Sequence, residues 1–224
     1  MRVVCLPGTV CSPAVFAPLA ELVDGVEAVS WMTAPGPWTV PAVAERVAAD
    51  LTEPVLLVGH STGGAIVGSL AGAHPELVAG LVLVDTGAHT RRHGDVGAII
   101  DRFASSWGRE ALRAVLDRSF ATPPPEDVVA DLLAYAESVP QEAAVEVLRS
   151  QRDLDLTPVL PTITCPAAVV HGVHDRARST VEAEELAALL PHATLHWAEC
   201  GHTPVYEAPE IVAEAIASVR ERAS

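Results

Sequence analysis

Residues Gly59-His60-Ser61-Thr62-Gly63-Gly64 set a serine between two glycines at the spacing G-x-S-x-G. The run before it, Pro54-Val55-Leu56-Leu57-Val58, reads as a buried strand, and the run after it reads as an apolar helix. A serine at such a strand-to-helix reversal needs small residues two before and two after it. A side chain at either place would collide as the backbone turns and lifts the hydroxyl above the sheet. Gly59 and Gly63 meet that need. The reversal also aims the first amides of the helix at whatever the serine attacks, so developing negative charge meets N–H donors and the positive end of the helix dipole. The chemistry is nucleophilic, and it requires two more groups: a base to take the hydroxyl proton and an acid to hold that base.

Both groups lie further along the chain. The run Ala167–Gly172 leads through His171-Gly172-Val173-His174 to Asp175, a carboxylate at a strand's C-terminal edge, where open α/β sheets hold their sites. The run Ala193–Trp197 is followed by Glu199-Cys200-Gly201-His202-Thr203-Pro204, which puts His202 on the next loop along that edge. Asp85 also ends a strand and is the rival acid. Asp175 is preferred because it sits in a G-x-x-D turn one strand before His202. His60 reads first as a packed turn residue, and His89, His93, His192 and His196 as surface or satisfied histidines. The H-x-x-H-D spacing of His171, His174 and Asp175 matches no metal-binding pattern, so no metal is expected, and the serine chemistry needs no cofactor.

The elements that must position these groups follow from periodicity. Short β-branched runs at Arg2–Leu6, Val26–Trp31, Pro54–Gly59, Gly80–Asp85, Ala167–Gly172 and Ala193–Trp197 read as six strands. Continuous apolar runs such as Leu81-Val82-Leu83-Val84 suit strands covered on both faces of a parallel sheet. Helical patterns at Val15–Leu22, Val40–Leu51, Thr62–Ala73, Thr180–Leu190 and Pro209–Ala223 supply the crossovers. Between the fourth and fifth strands the rhythm breaks. Residues 87–166 carry no strand but four amphipathic patterns, Val96–Ser106, Arg109–Phe120, Glu126–Ser138 and Gln141–Gln151, with Pro123-Pro124-Pro125 separating two of them. The fold class expected is α/β, a mostly parallel six-stranded sheet flanked by helices. Residues 1–86 and 167–224 form its core, and 87–166 form a helical insertion within one structural domain.

The order Ser61, Asp175, His202 separates the chain from chymotrypsin-like and subtilisin-like proteins. With the G-x-S-x-G turn and the inserted helices, the chain resembles a compact α/β-hydrolase-fold serine hydrolase over nearly its whole length, the insertion standing where that fold carries its cap. Leu6-Pro7-Gly8-Thr9 resembles the oxyanion loop of that family, in which His-Gly is the commoner pair. The resemblance implies an oxyanion hole made by the backbone N–H groups of Thr9 and Thr62. It also implies a substrate held between sheet edge and cap, with Val10, His60, His89, Phe103 and Trp107 beside it. Two departures stand out: Met32-Thr33-Ala34-Pro35-Gly36-Pro37-Trp38 lacks the usual Gly-x-Gly-x-Ser turn, and the chain begins at what is the third strand of the full fold.

Composition narrows the function. The 224 residues hold neither Lys nor Asn, which removes Schiff-base, pyridoxal, Ser-Lys and P-loop chemistry together with Cys-His-Asn triads. A net charge of −15 opposes nucleic acid and anionic membrane as partners and suits a small, largely apolar, uncharged substrate. Arg91 and Arg92 are the local exception: they either receive one carboxylate or are ordinary solvated surface. Four cysteines without a C-x-x-C pair read as reduced thiols. Only four apolar residues precede Pro7-Gly8, too few for a signal peptide, so a cytoplasmic protein is expected. The reaction expected is hydrolysis of a carboxylic ester or lactone through an acyl-enzyme. The alternatives are C–C bond hydrolysis, thioester hydrolysis or acyl-transfer cyclisation by the same triad, and a ligand-binding relative that does not turn over. The oligomeric state is left open.

Overall fold

The apolar runs fold as β1 (Val3–Leu6), β2 (Val26–Ala28), β3 (Val55–His60), β4 (Val78–Val84), β5 (Ala167–Gly172) and β6 (Ala193–Ala198) in a computed structural model that describes residues 1–223. They join in one sheet, in the order β2-β1-β3-β4-β5-β6, and every pairing is parallel. Parallel neighbours cannot be joined by a hairpin, so each connection crosses a face of the sheet. The crossovers are α1 (Ala17–Leu22), α2 (Val40–Ala49), α3 (Thr62–Ala73) and α8 (Thr180–Leu189), and the chain closes with α9 (Pro204–Glu207) and α10 (Pro209–Arg222).

Successive strand residues go to opposite faces, and two apolar clusters record it. Val4, Leu6, Val55, Leu57, Leu81, Leu83, Ala167 and Val169 meet α2, α3 and α8. Their alternates Val3, Cys5, Leu56, Val58, Val82, Val84, Ala168 and Val170 meet α1 and α10. The central strands are for this reason apolar along their length, with His60 and His171 only toward the ends of β3 and β5.

Between β4 and β5 lie α4 (Val96–Ser105), α5 (Arg109–Ser119), α6 (Glu126–Ser138) and α7 (Gln141–Asp153). Val96, Ile100, Phe103, Leu112, Leu133 and Ala143 from these helices join the same cluster as the first face of the sheet. The insertion therefore has no core of its own; it covers the sheet edge and packs there.

Two elements depart from the sequence reading. β2 ends at Ala28 rather than Trp31, because Trp31 leaves the sheet edge, becomes fully buried and donates its indole N–H to the Pro7 carbonyl at 2.9 Å. The short helix α9, absent from the sequence reading, follows His202 directly. No described helix is long and apolar enough to cross a membrane.

Candidate active site

Ser61 sits between β3 and α3 with φ 54° and ψ −119°, a conformation that costs free energy in any residue with a side chain. The surroundings impose it. The Ser61 N–H donates to the Val84 carbonyl at 2.9 Å, tying the turn to β4. A Cβ on Gly59 would stand 2.5 Å from the Gly63 carbonyl oxygen, and one on Gly63 would run into the Leu6 carbonyl. The backbone can reverse only with hydrogen at both positions.

Across from Ser61, the loop after β6 presents His202 with Nε2 3.0 Å from Ser61 Oγ, and its Nδ1 lies 2.6 Å from Asp175 Oδ2. Asp175 Oδ1 accepts the amides of Ala177 at 2.6 Å and Arg178 at 3.1 Å, so the loop that carries the carboxylate also fixes its rotation. Burial pushes the Asp175 carboxyl up, but the His202 charge, the hydrogen bond to His202 and the two amides outweigh it and hold the group below the usual carboxylate range. An ionised Asp175 only accepts, so the proton of neutral His202 is on Nδ1 and the Nε2 lone pair faces the serine. Burial opposes charge on His202 as well, yet Asp175 raises the imidazole above its ordinary value.

His60 braces this arrangement. It is buried, its Nε2 lies 2.6 Å from the His202 carbonyl oxygen, and its ring centroid lies 5.1 Å from that of His202. Burial, then the His202 charge, lowers its pKa to about 3. A neutral His60 must carry its proton on Nε2 to satisfy a carbonyl that can only accept.

The Leu6–Thr9 loop lies against the serine: a Cβ on Gly8 would come 3.0 Å from Ser61 Cβ. Among the described residues, neither the Thr9 nor the Thr62 N–H has an acceptor, whereas the Val10 N–H is taken by Met32 Sδ at 3.0 Å. Thr62 Oγ1 donates to Gln151 Oε1 at 2.9 Å and lies 2.8 Å from Thr9 Oγ1, so Thr9 is the donor in that second bond. The chain Thr9–Thr62–Gln151 couples the Leu6–Thr9 loop, the serine turn and helix α7. Gln151 was not singled out in the sequence; a lone glutamine at the end of an amphipathic helix carries no signal until its partner is in place.

A cavity of about 140 Å³ opens on Ser61 and His202. Of the residues expected beside the substrate, Val10, His60 and Phe103 line it, and Ile99, Val115 and Leu148 extend its apolar wall. His89 and Trp107 do not line it. The His89 ring turns to Glu185 at 3.3 Å, and Trp107 packs edge-on against Phe103 with centroids 5.5 Å apart, behind the wall rather than in it. Arg91 and Arg92 do not line the cavity: Arg91 pairs with Asp155 at 2.8 Å and Arg92 lies 3.9 Å from Glu185.

Asp85, the rival acid, is fully buried with Oδ1 2.7 Å from His171 Nδ1 and accepting the Gly172 N–H at 2.9 Å, away from His202. Asp85, His171 and Asp175 bring three ligand-type atoms within 4.8 Å of one another. Asp175 is committed to His202, which leaves an imidazole–carboxylate pair rather than three free ligands.

Comparison with known proteins identifies the family. Residues 3–215 match the model of the Alpha/beta hydrolase family. The chain belongs to that family. A pimeloyl acyl-carrier-protein methyl ester esterase of Aromatoleum aromaticum is 28% identical over 201 residues, covering 81% of this chain and 80% of that protein. Among solved structures, an esterase from Exiguobacterium antarcticum superposes with a TM-score of 0.86 at 20% identity, covering 98% of this chain and 92% of its own. The enol-lactonase from Burkholderia xenovorans gives 0.84 at 21% identity, covering 98% and 91%. The α/β-hydrolase thus has the six-stranded parallel sheet of its family and is an enzyme of the hydrolase class.

Proposed function

We propose that this α/β-hydrolase cleaves a small carboxylic ester or lactone through Ser61, His202 and Asp175. The observation that carries the reading is the unbroken relay Ser61 Oγ–His202 Nε2 at 3.0 Å and His202 Nδ1–Asp175 Oδ2 at 2.6 Å, opening on a cavity. Ser61 attacks the carbonyl carbon as His202 Nε2 takes its proton. The oxyanion forms beside the Thr9 and Thr62 amides, and Asp175 stabilises the imidazolium. His202 then protonates the departing alkoxide, leaving an acyl-serine. Water, deprotonated by the same nitrogen, attacks the ester, and the acid leaves as Ser61 recovers its proton.

The relative named for hydrolysing a methyl ester supports ester chemistry, and the apolar wall supports a neutral acyl or alkyl part. Helices α4–α7 act as the cap, since Phe103, Val115 and Leu148 from them close the cavity over Ser61. C–C bond hydrolysis, thioester hydrolysis and acyl-transfer cyclisation would use the same three groups. A binding protein without turnover fits poorly with a serine already hydrogen-bonded to its base. The test is Ser61→Ala assayed on short-chain aryl esters. It should fold and lose about 10³-fold or more of kcat, since binding and the oxyanion amides alone supply little rate; retention of most of the activity contradicts the reading.

A further inference from the structure

Arg178, three residues beyond Asp175, is only 4% exposed, yet it forms part of the cavity wall shared with Ser61 and His202. Its Nη1 donates to the His89 carbonyl at 2.9 Å and to Glu182 Oε1 at 2.7 Å. Its Nε is buried with no acceptor, and among the described residues none is bonded to Nη2 either. A buried guanidinium with three of its five N–H donors unanswered is costly unless something else answers them.

Those two nitrogens form one edge of the guanidinium. In this same molecule that edge takes a carboxylate: Arg2 Nε and Nη2 bind the two oxygens of Glu27 at 3.0 and 2.8 Å, and Arg152 holds Asp153 in the same way at 2.8 and 3.1 Å. The seat of Arg178 is built by its neighbours. A Cβ on Gly87 would stand 2.9 Å from Nη1, so glycine there lets the guanidinium sit where it does without shifting. Glu182 meets Nη1 alone, because its Oε2 is already taken by the Ser179 N–H at 2.9 Å and Oγ at 3.2 Å. The wall adds no second anion. Asp175 is spent on His202 and two amides, and burial together with the Arg178 charge keeps the cavity residue His93 neutral, its pKa lowered to about 4. Arg118, exposed at the same cavity, has no ion-pair partner among the described residues.

We propose that the substrate of this hydrolase carries an ionised carboxylate besides the bond that is cleaved, and that Arg178 binds it through Nε and Nη2, with Arg118 attracting it from the rim. This rests on the ester or lactone reading and departs from the sequence expectation of an uncharged substrate. The chain's −15 net charge still disfavours polyanions; a single carboxylate gains the open N–H donors of a buried arginine, with Arg118 at the same cavity. A cavity of about 140 Å³ is close to one that encloses benzene, which limits the buried part to a short chain or a small ring.

The experiment compares kcat/KM for 4-nitrophenyl esters of short acyl chains ending in a carboxylate with the same chains ending in a carboxamide. Wild type should favour the carboxylate by about tenfold, mostly through KM. The variant carrying Arg178→Gln with Glu182→Gln removes both buried charges together, so neither is stranded. It should bring the ratio to about one, and Arg118→Gln should lower it less. A purely structural Arg178 would slow both esters alike and leave the ratio where it was. If the double variant does not fold, wild type still decides: short aliphatic carboxylates should inhibit competitively, more strongly than the matching carboxamides and less so as salt rises. Equal inhibition, a wild-type preference for the carboxamide ester, or a ratio unmoved by the double variant overturns the proposal. Failure of the ester reading looks different: neither ester is hydrolysed, or Ser61→Ala hydrolyses both.

Discussion

His202 faces two pressures, burial against charge and Asp175 for it, and the second wins. A base must be neutral to act, so a raised imidazole pKa puts the acidic limb of kcat/KM above the ordinary value of about 6.5. The sign for stability is opposite. A group whose pKa is raised on folding stabilises the fold below its unfolded value and loses that contribution as pH rises through the folded one, so the enzyme gains activity across the window in which His202 stops stabilising it. A pH profile of kcat/KM measures the limb; a flat profile from about pH 5 to 8 contradicts His202 as base. The two acids separate by mutation. Asp175→Asn leaves His202 with the wrong tautomer and should cost on the order of 10³–10⁴ in kcat. Asp85→Asn breaks the buried His171 pair, while Asp85 acts on His202 through its charge and not through a hydrogen bond, so the change should show in thermal stability far more than in rate. The reverse ranking moves the acid to the end of β4.

At the scale of elements, the serine turn is held by close approach. Gly63→Ala drives a methyl into the Leu6 carbonyl and within 2.9 Å of the Pro7 oxygen, so it should lower stability by about 1–3 kcal/mol and displace Ser61, read as a fall in Tm together with lost hydrolysis. A Gly63→Ala protein that melts and turns over like wild type contradicts the packing argument. The same turn shows what a sequence makes legible. Glycines flanking a serine at a strand-to-helix switch, apolar runs of fixed period and carboxylate and imidazole at successive strand ends are local signals, and they placed β5 at its observed bounds and brought Asp175 and His202 to one edge. Non-local effects were not legible. β2 stops early because Trp31 is drawn inward to Pro7, and α9 exists to point Glu207 at the amides of Gly201, Ala121 and Thr122, which ties the His202 loop to the insertion. Gln151, His89 and Trp107 belong with these: each has a side chain whose direction depends on a partner distant in the chain or out of reach of any pattern.

For the molecule as a whole, one apolar cluster runs through the first face of the sheet and into α4–α7. Shared core means shared stability, so the insertion and the sheet should unfold together. Far-UV circular dichroism and tryptophan fluorescence, with Trp31 and Trp38 beside the sheet and Trp107 in the insertion, should give coincident transitions; two separated transitions contradict a common core. The same architecture buries the apolar faces of the sheet and gathers Ser61, His202 and Asp175 at its C-terminal edge, beneath the insertion. Whether Ser61 is activated is settled most directly by intact-mass analysis after exposure to a fluorophosphonate, which reacts only with a serine whose proton a base removes. Wild type should gain the mass of a single adduct, faster at a pH above the His202 value than below it, and Ser61→Ala should gain none. Unlabelled wild type, or Ser61→Ala labelled to the same extent, contradicts nucleophilic catalysis by Ser61.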